Sequence, residues 1–183
     1  MNRFLRLGLI VLPIAVVTHV AAVWAVPRVI MHMVVTRSAE AAGGFDRAYH
    51  PPPIDDKARW VVLPSPDLRY SICALDLADG PVEVTATPPD SYFSLSVFDA
   101  ATDNVAVVSN GTTGSGPIHL VIAQEAVPVP AGAHLVTMAT TRGLLLLRAL
   151  AATPEQAAVA EAARRTLDCH RLGNSAGPAN GLD

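Results

Sequence analysis

Tyr92-Phe93-Ser94-Leu95-Ser96-Val97-Phe98-Asp99 alternates apolar and polar residues. Successive side chains of an extended chain leave opposite faces, so Phe93, Leu95 and Val97 share one face and Ser94 and Ser96 the other. That is the pattern of a half-buried strand. Upstream, residues 81–86 repeat it, with Val82 and Val84 opposing Glu83 and Thr85. Further short strands are expected at 59–63, 69–76, 105–108, 118–123, 134–139 and 143–150. Residues 144–147 are leucine throughout, apolar on both faces, which predicts a central strand. Turn signals separate these runs: Ala78-Asp79-Gly80-Pro81, Thr87-Pro88-Pro89-Asp90, residues 99–104, and a glycine-rich stretch at 111–116 expected to be a hairpin turn. Many short strands without intervening helices predict a mainly β fold, an antiparallel sandwich or jelly-roll-like domain.

One C-terminal helix closes this domain. Thr153-Pro154-Glu155-Gln156 supplies a capping box with proline at the first helical position. Glu161 and Arg165 stand four apart in the favourable order. Val159, Ala163 and Leu167 form a narrow apolar stripe for the sheet. After Cys169 the composition turns to that of a disordered tail.

At the other end, LGLIVLPIAVVTHVAAVWAV, residues 7–26, contains no charged residue. About 20 apolar residues in a helix cross the hydrocarbon core, which predicts an N-terminal transmembrane helix. Thr18 and His19 are its polar members, Pro13 lies in its second turn, and Trp24 falls where an indole suits the interface. The competing reading, a cleaved signal peptide, calls for an apolar region of only about 7–15 residues. Arg3 and Arg6 before the span and Arg28 and Arg37 after it, with Glu40 nearby, give a small bias towards an N-terminus inside and a domain outside. The expected organisation is an anchor over residues 1–42, a Pro-rich linker over 43–58 stiffened by Pro51-Pro52-Pro53, a β-rich domain over 59–170 and a disordered tail over 171–183.

Composition narrows the function classes. Of the 183 residues 51% are hydrophobic and 16% charged, with a net charge of −3. That is short of the roughly 25% charged residues of a soluble domain, so part of the chain suits lipid. The acidic balance gives no basic surface for nucleic acid. Two cysteines are too few for a disulfide framework or a four-cysteine zinc site. His119 and His134 lie on separate predicted strands without a third ligand at a recognisable spacing, so no metal site and no cofactor is predicted. The glycine-rich stretch lacks the Gly-Lys-Ser/Thr ending of a phosphate loop. Asp99 and Asp103 flank a turn, where backbone hydrogen bonding accounts for them. Cys73 sits among apolar neighbours as a buried strand residue, with no adjacent base to make it a nucleophile. No catalytic residue is predicted.

Several elements together resemble one family. Asp67-Leu68-Arg69-Tyr70-Ser71, then Leu75-Asp76-Leu77-Ala78-Asp79-Gly80-Pro81-Val82, then the Tyr92–Asp99 strand with Thr102 and Asn104, and finally residues 143–149 with Pro154-Glu155 are similar to the domain of unknown function 1254 family. The resemblance covers roughly residues 60–167 and is strongest to short membrane-anchored bacterial members. Long members carry a second domain, the domain of unknown function 1214. They also show N-x-D-T-x-Y where this chain has Ser65-Pro66-Asp67-Leu68-Arg69-Tyr70, so Asp67 and Tyr70 match while the Asn and Thr do not.

The resemblance implies a fold and a partner, not a reaction. The expected location is the bacterial inner membrane, single-pass, with a periplasmic domain. The expected role is an interaction module of the cell envelope that contacts membrane lipid and pairs with a second small membrane protein carrying the companion domain. The alternative is a periplasmic enzyme or ligand-binding domain acting on envelope carbohydrate or lipid, with Asp67, Tyr70 and Asp99 as ligand-binding candidates near strand ends. A flat apolar patch favours the first role, a concave pocket where those three converge the second. In an oxidising compartment Cys73 and Cys169 are expected to pair as a disulfide.

Overall fold

The computed structural model describes residues 3–54, 64–113 and 116–173. The strand expected at 59–63 and residues 174–183 lie outside them. The chain opens with helix α1 (Arg3–Ala42), continues through strands β1 (Ala48–Tyr49), β2 (Leu68–Asp76), β3 (Val82–Ala86), β4 (Phe93–Asp99) and β5 (Asn104–Ser109), and makes one helical turn, α2 (Asn110–Thr113). Strands β6 (Ile118–Ala123), β7 (His134–Thr137) and β8 (Arg142–Leu150), helix α3 (Pro154–Arg164) and strand β9 (Asp168–Arg171) follow.

The strands form two facing sheets, one in the order β1-β2-β8-β4-β5 and the other in the order β7-β6-β3-β9. The expected sandwich is therefore present. Alternation places the core: Phe93, Leu95 and Val97 of β4, Val82 and Val84 of β3, and Leu120 and Ile122 of β6 are all buried between the sheets. The leucine run explains itself. β8 lies between β2 and β4, sending Leu145 and Leu147 into the sandwich and Leu144 to the outer face. At Gly143 an added Cβ would stand 2.5 Å from the Phe98 carbonyl oxygen and 2.6 Å from Met138 Sδ, so only glycine lets the neighbouring chains approach this closely.

Four details depart from the expectations. The glycine-rich stretch 111–116 is not a hairpin turn, because β5 belongs to one sheet and β6 to the other. The pair β6 and β7 is parallel, so the sheets are mixed rather than wholly antiparallel. A ninth strand, Asp168–Arg171, forms beyond α3 and pairs with β3. On α3 the buried residues are Ala160, Ala163 and Arg164, while Val159 is half exposed. The capping box itself is present, with Thr153 Oγ1 accepting from the Gln156 N–H and Gln156 Oε1 from the Thr153 N–H.

Helix α1 is a single 40-residue rod containing Pro13 and Pro27. Its stretch Leu7–Ala42 is long and apolar enough to cross a membrane, with a mean hydropathy of 2.4 over its most apolar window. The helix continues past its most apolar window into the domain. Val35 and Ala39, near its C-terminus, are buried against Ile72 and Ala74 of β2 and Leu144 of β8 on the outer face of the five-stranded sheet. The segment expected to act as a spacer is, as far as Pro51, folded onto the domain. Gly43 and Gly44 turn the chain at positive φ, the Asp46 N–H donates to the Ala74 carbonyl, and Ala48–Tyr49 joins the sheet as β1.

Candidate functional site

The outer face of the five-stranded sheet divides in two. Helix α1 covers the Ile72, Ala74 and Leu144 half. Beyond it the register aligns Tyr70, Arg148 and Ser94 in one row across β2, β8 and β4. The next row is Ile72, Leu146 and Ser96. Arg148 Nη2 donates to Ser96 Oγ at 3.1 Å, and Tyr92 Oη and Ser94 Oγ share a hydrogen bond of 3.0 Å. The Tyr70 hydroxyl accepts from the Ser65 N–H at 3.0 Å. Arg148 Nε is buried without a partner among the described residues, a costly state for a charged donor and a common mark of a group kept for another purpose. Serine and tyrosine hydroxyls around a guanidinium suit an oxyanion or a polyhydroxylated ligand.

Of the three sequence candidates, only Tyr70 reaches this row. Asp67 is exposed at the turn before β2. Asp99 ends β4 opposite Gly143, five residues further along the strand than Ser94, or about 17 Å at strand rise. Its carboxylate is taken up locally: Oδ1 accepts from the Ala101 and Asp103 N–H groups, both at 2.9 Å. Asp67, Tyr70 and Asp99 thus do not converge on one pocket. Arg148 and Ser96, which carry the patch, were not visible in the sequence. Their juxtaposition depends on the register of strands that place residues 52 positions apart in contact.

A second polar cluster lies on the outer face of the four-stranded sheet. Glu83 on β3 is shared between His119 Nε2 on β6, at 2.5 Å, and His170 Nε2 on β9, at 3.2 Å. His170 Nδ1 in turn meets Asp168 Oδ2 at 3.1 Å. His119 therefore finds Glu83 rather than the His134 considered from sequence. Among the described residues, no group of three or more His, Cys, Asp or Glu side chains is arranged to hold a metal ion.

A groove of about 400 Å³ opens where the helix meets the domain. Ile30, Met33, Val34 and Arg37 of α1 form one wall, and Tyr49, Pro51 and Ile72 belong to the other. It is apolar apart from Arg37, Ser38 and the tyrosine hydroxyl, and it begins within two turns of Trp24, whose ring carries the Arg28 guanidinium at 4.4 Å. An apolar slot with one cation, next to an apolar helix of spanning length, is suited to a lipid chain and its phosphate.

The fold and these surfaces define a class: a two-sheet β-sandwich carrying a long apolar N-terminal helix. The sequence profile of the protein of unknown function DUF1254 matches residues 45–171, and the chain belongs to that family. The match begins at Phe45, inside the expected linker, in agreement with the packing of that segment. No curated protein is similar at a significant level. Among solved structures, a protein from Vibrio parahaemolyticus shares the fold with a TM-score of 0.57 and 20% identity, over 80% of this chain and 37% of its own. An uncharacterized protein from Burkholderia cenocepacia does so with a TM-score of 0.50 and 18% identity, over 91% of this chain and 45% of its own. The chain thus spans less than half the length of these structural relatives.

Proposed function

We propose that this chain is a membrane-anchored module of the bacterial cell envelope, with its N-terminus in the cytoplasm and its sandwich in the periplasm. In that setting it pairs with a second membrane protein carrying the companion domain of unknown function 1214. The observation that carries the reading is the unbroken course of α1. Its first part presents Leu9, Leu12, Val17, Val20 and Val23 to the surroundings, each more than half exposed. Its last turns are buried on the sheet. A helix continuous with both sets the domain's pose against the membrane plane, as a partner reading that pose requires. The protein partner is supported by the family resemblance and by the rim of the five-stranded sheet. There β5 is the last strand among the described residues, and Val107 is 55% exposed on it.

The experiment is site-specific photocrosslinking from position 107 in intact membranes, with a C-terminal alkaline phosphatase fusion reporting topology. An adduct with a protein carrying the companion domain, together with an active fusion, is the expected result. A genome that encodes such a protein and yields no adduct defeats the pairing. An inactive fusion that is active with a cytoplasmic reporter defeats the orientation.

The groove beside Arg37 favours a second reading, a domain that holds phospholipid. Native mass spectrometry of the detergent-purified chain should then show bound phospholipid, lost in Ala41→Trp. Chain free of lipid under conditions that preserve a known lipid complex argues against it.

A further inference from the structure

We infer that Cys73 and Cys169 are a cross-linking site, closed to a disulfide that ties the two sheets together. The inference takes the periplasmic placement of the domain proposed above as its setting. Cys73 sits in β2, in register with Leu145 of β8 and Ala48 of β1. Cys169 sits in β9, in register with Val84 of β3. Those partners place both side chains on the inward faces, one from each sheet, and both belong to the same buried core cluster. Both are free thiols in this structure, 0% and 3% exposed. After burial, Cys169 is the largest influence on the Cys73 thiol. A sandwich holds its sheets about 10 Å apart, a gap that a cystine with Cα atoms about 5.5–6 Å apart crosses only where the sheets draw together. Two inward-facing thiols of one core cluster, one on each sheet, mark such a place.

The chemistry balances as exchange. The Cys169 thiolate attacks one sulfur of an incoming disulfide, from a thiol–disulfide oxidoreductase or oxidised glutathione. A mixed disulfide forms and the first thiol leaves. The Cys73 thiolate then attacks the Cys169 sulfur, and the second thiol leaves. Two cysteine thiols lose two electrons and two protons, and one oxidant disulfide becomes two thiols.

The order of events follows from burial. Burial, with the neighbouring Cys169, pushes the Cys73 thiol well above its ordinary range, so the folded core supplies almost no thiolate there. The attack therefore begins while the chain is still open. β9 is an edge strand of its sheet and the last described strand in the sequence. Its late docking leaves Cys169 accessible to the oxidant until the sandwich closes.

The test uses the full chain purified from bacterial membranes, with thiols trapped by an alkylating reagent in denaturant, and a separate C-terminal reporter of topology. The expected result is no alkylation without reductant, two alkylated cysteines after reduction, and an intact mass lighter by two hydrogens before reduction. A periplasmic reporter with two free thiols overturns the bridge and leaves the topology standing. A cytoplasmic reporter overturns the topology, and the bridge is then judged by refolding the full chain in detergent with mixed glutathione. Quantitative closure upholds the pairing, and persistent free thiols or glutathione adducts reject it. The single variants Cys73→Ala and Cys169→Ala, refolded alongside, should each retain glutathione as a mixed disulfide that the paired chain releases.

Discussion

Arg164 shows how one buried charge organises the end of the sandwich. It is 2% exposed, and each of its guanidinium nitrogens has a partner. Nη1 donates to the Pro51 and Tyr70 carbonyls at 3.0 and 2.9 Å, while Nε and Nη2 form a fork on the Glu161 carboxylate at 2.6 and 2.9 Å. One side chain thus fastens α3 to β2 and to the proline segment. Arg164→Met keeps the bulk and removes the donors, leaving two carbonyls unpaired in a buried setting. The expected loss is about 3 kcal/mol of unfolding free energy, read from denaturant titration of the detergent-solubilised chain. An unchanged midpoint would mean that water reaches those carbonyls.

Asp46 carries a pH signature of the opposite kind to an ordinary ion pair. It is buried at φ +57°, accepts from the Asp76 N–H at 2.9 Å and stands 3.5 Å from Arg171 Nη2. Burial raises its carboxyl above the usual 3.8, outweighing the Asp76 N–H and the Arg171 charge. A raised folded value means that the folded state holds the proton more tightly. This group's contribution is then fully present below pH 3.8 and lost as pH rises through the folded value. Asn tolerates the left-handed conformation and keeps the acceptor. Asp46→Asn should therefore match or exceed the parent in stability at neutral pH, with any advantage gone below pH 3.8. Glu161, lowered chiefly by Arg164, loses its contribution as pH falls, but does so in both proteins, so the difference between them isolates Asp46. A variant clearly weaker at neutral pH would show that the Arg171 pair outweighs desolvation.

At the scale of elements, Gly143 is a point of close approach in the sheet. A methyl group there would press on the Phe98 backbone, which belongs to β4 and cannot rotate away, and on Met138, which is 1% exposed. Gly143→Ala should destabilise by about 1–3 kcal/mol through overpacking. Thr153→Ala removes only the cap of α3 and should cost about 1 kcal/mol. Thermal melts of the two variants, run together, would refute the close-approach argument if the alanine at 143 proved the milder change.

These elements also show what a sequence discloses. β4, β3 and β8 were legible because their burial follows a period of two, or a run of leucines, within one short segment. β9 was not, because Asp168-Cys169-His170-Arg171 has one apolar residue in four and owes its strand to β3, more than 80 residues earlier. The parallel pairing of β6 with β7 was hidden because parallel neighbours usually announce a helical crossover, and the connecting residues 124–133 form no helix. Ala160, not Val159, faces the core because the helix's phase is fixed by Arg164 and its carbonyl partners. The site followed the same rule: Tyr70 came from a local motif, while Arg148, Ser96, Glu83 and His170 needed the sheet register.

For the whole molecule the question is whether the apolar helix and the sandwich move as one body. The contact is small: Val35 and Ala39 on one side, Ile72, Ala74 and Leu144 on the other, with Phe45 and Leu146 at its edge. Phe45 also lies under the Arg142 guanidinium at 4.8 Å, and Arg142 pairs with Asp76 at 3.0 Å, so the turn after the helix is pinned as well. Ala39 is 5% exposed in an apolar cluster, so a carboxylate there would have to leave the interface or ionise without a partner. Ala39→Glu should undock the last turns of α1 while leaving the sandwich intact, because Ala39 is not part of the inter-sheet core. Hydrogen exchange on the full chain in lipid nanodiscs reads this directly. Amides of the last turns of α1 should lose protection, and those of β4 and β8 should keep it. Exchange that rises equally in the sheets would show the helix to be part of the folding core. Exchange unchanged everywhere would show the contact to be idle, and the fixed pose on which the proposed pairing depends would lose its support.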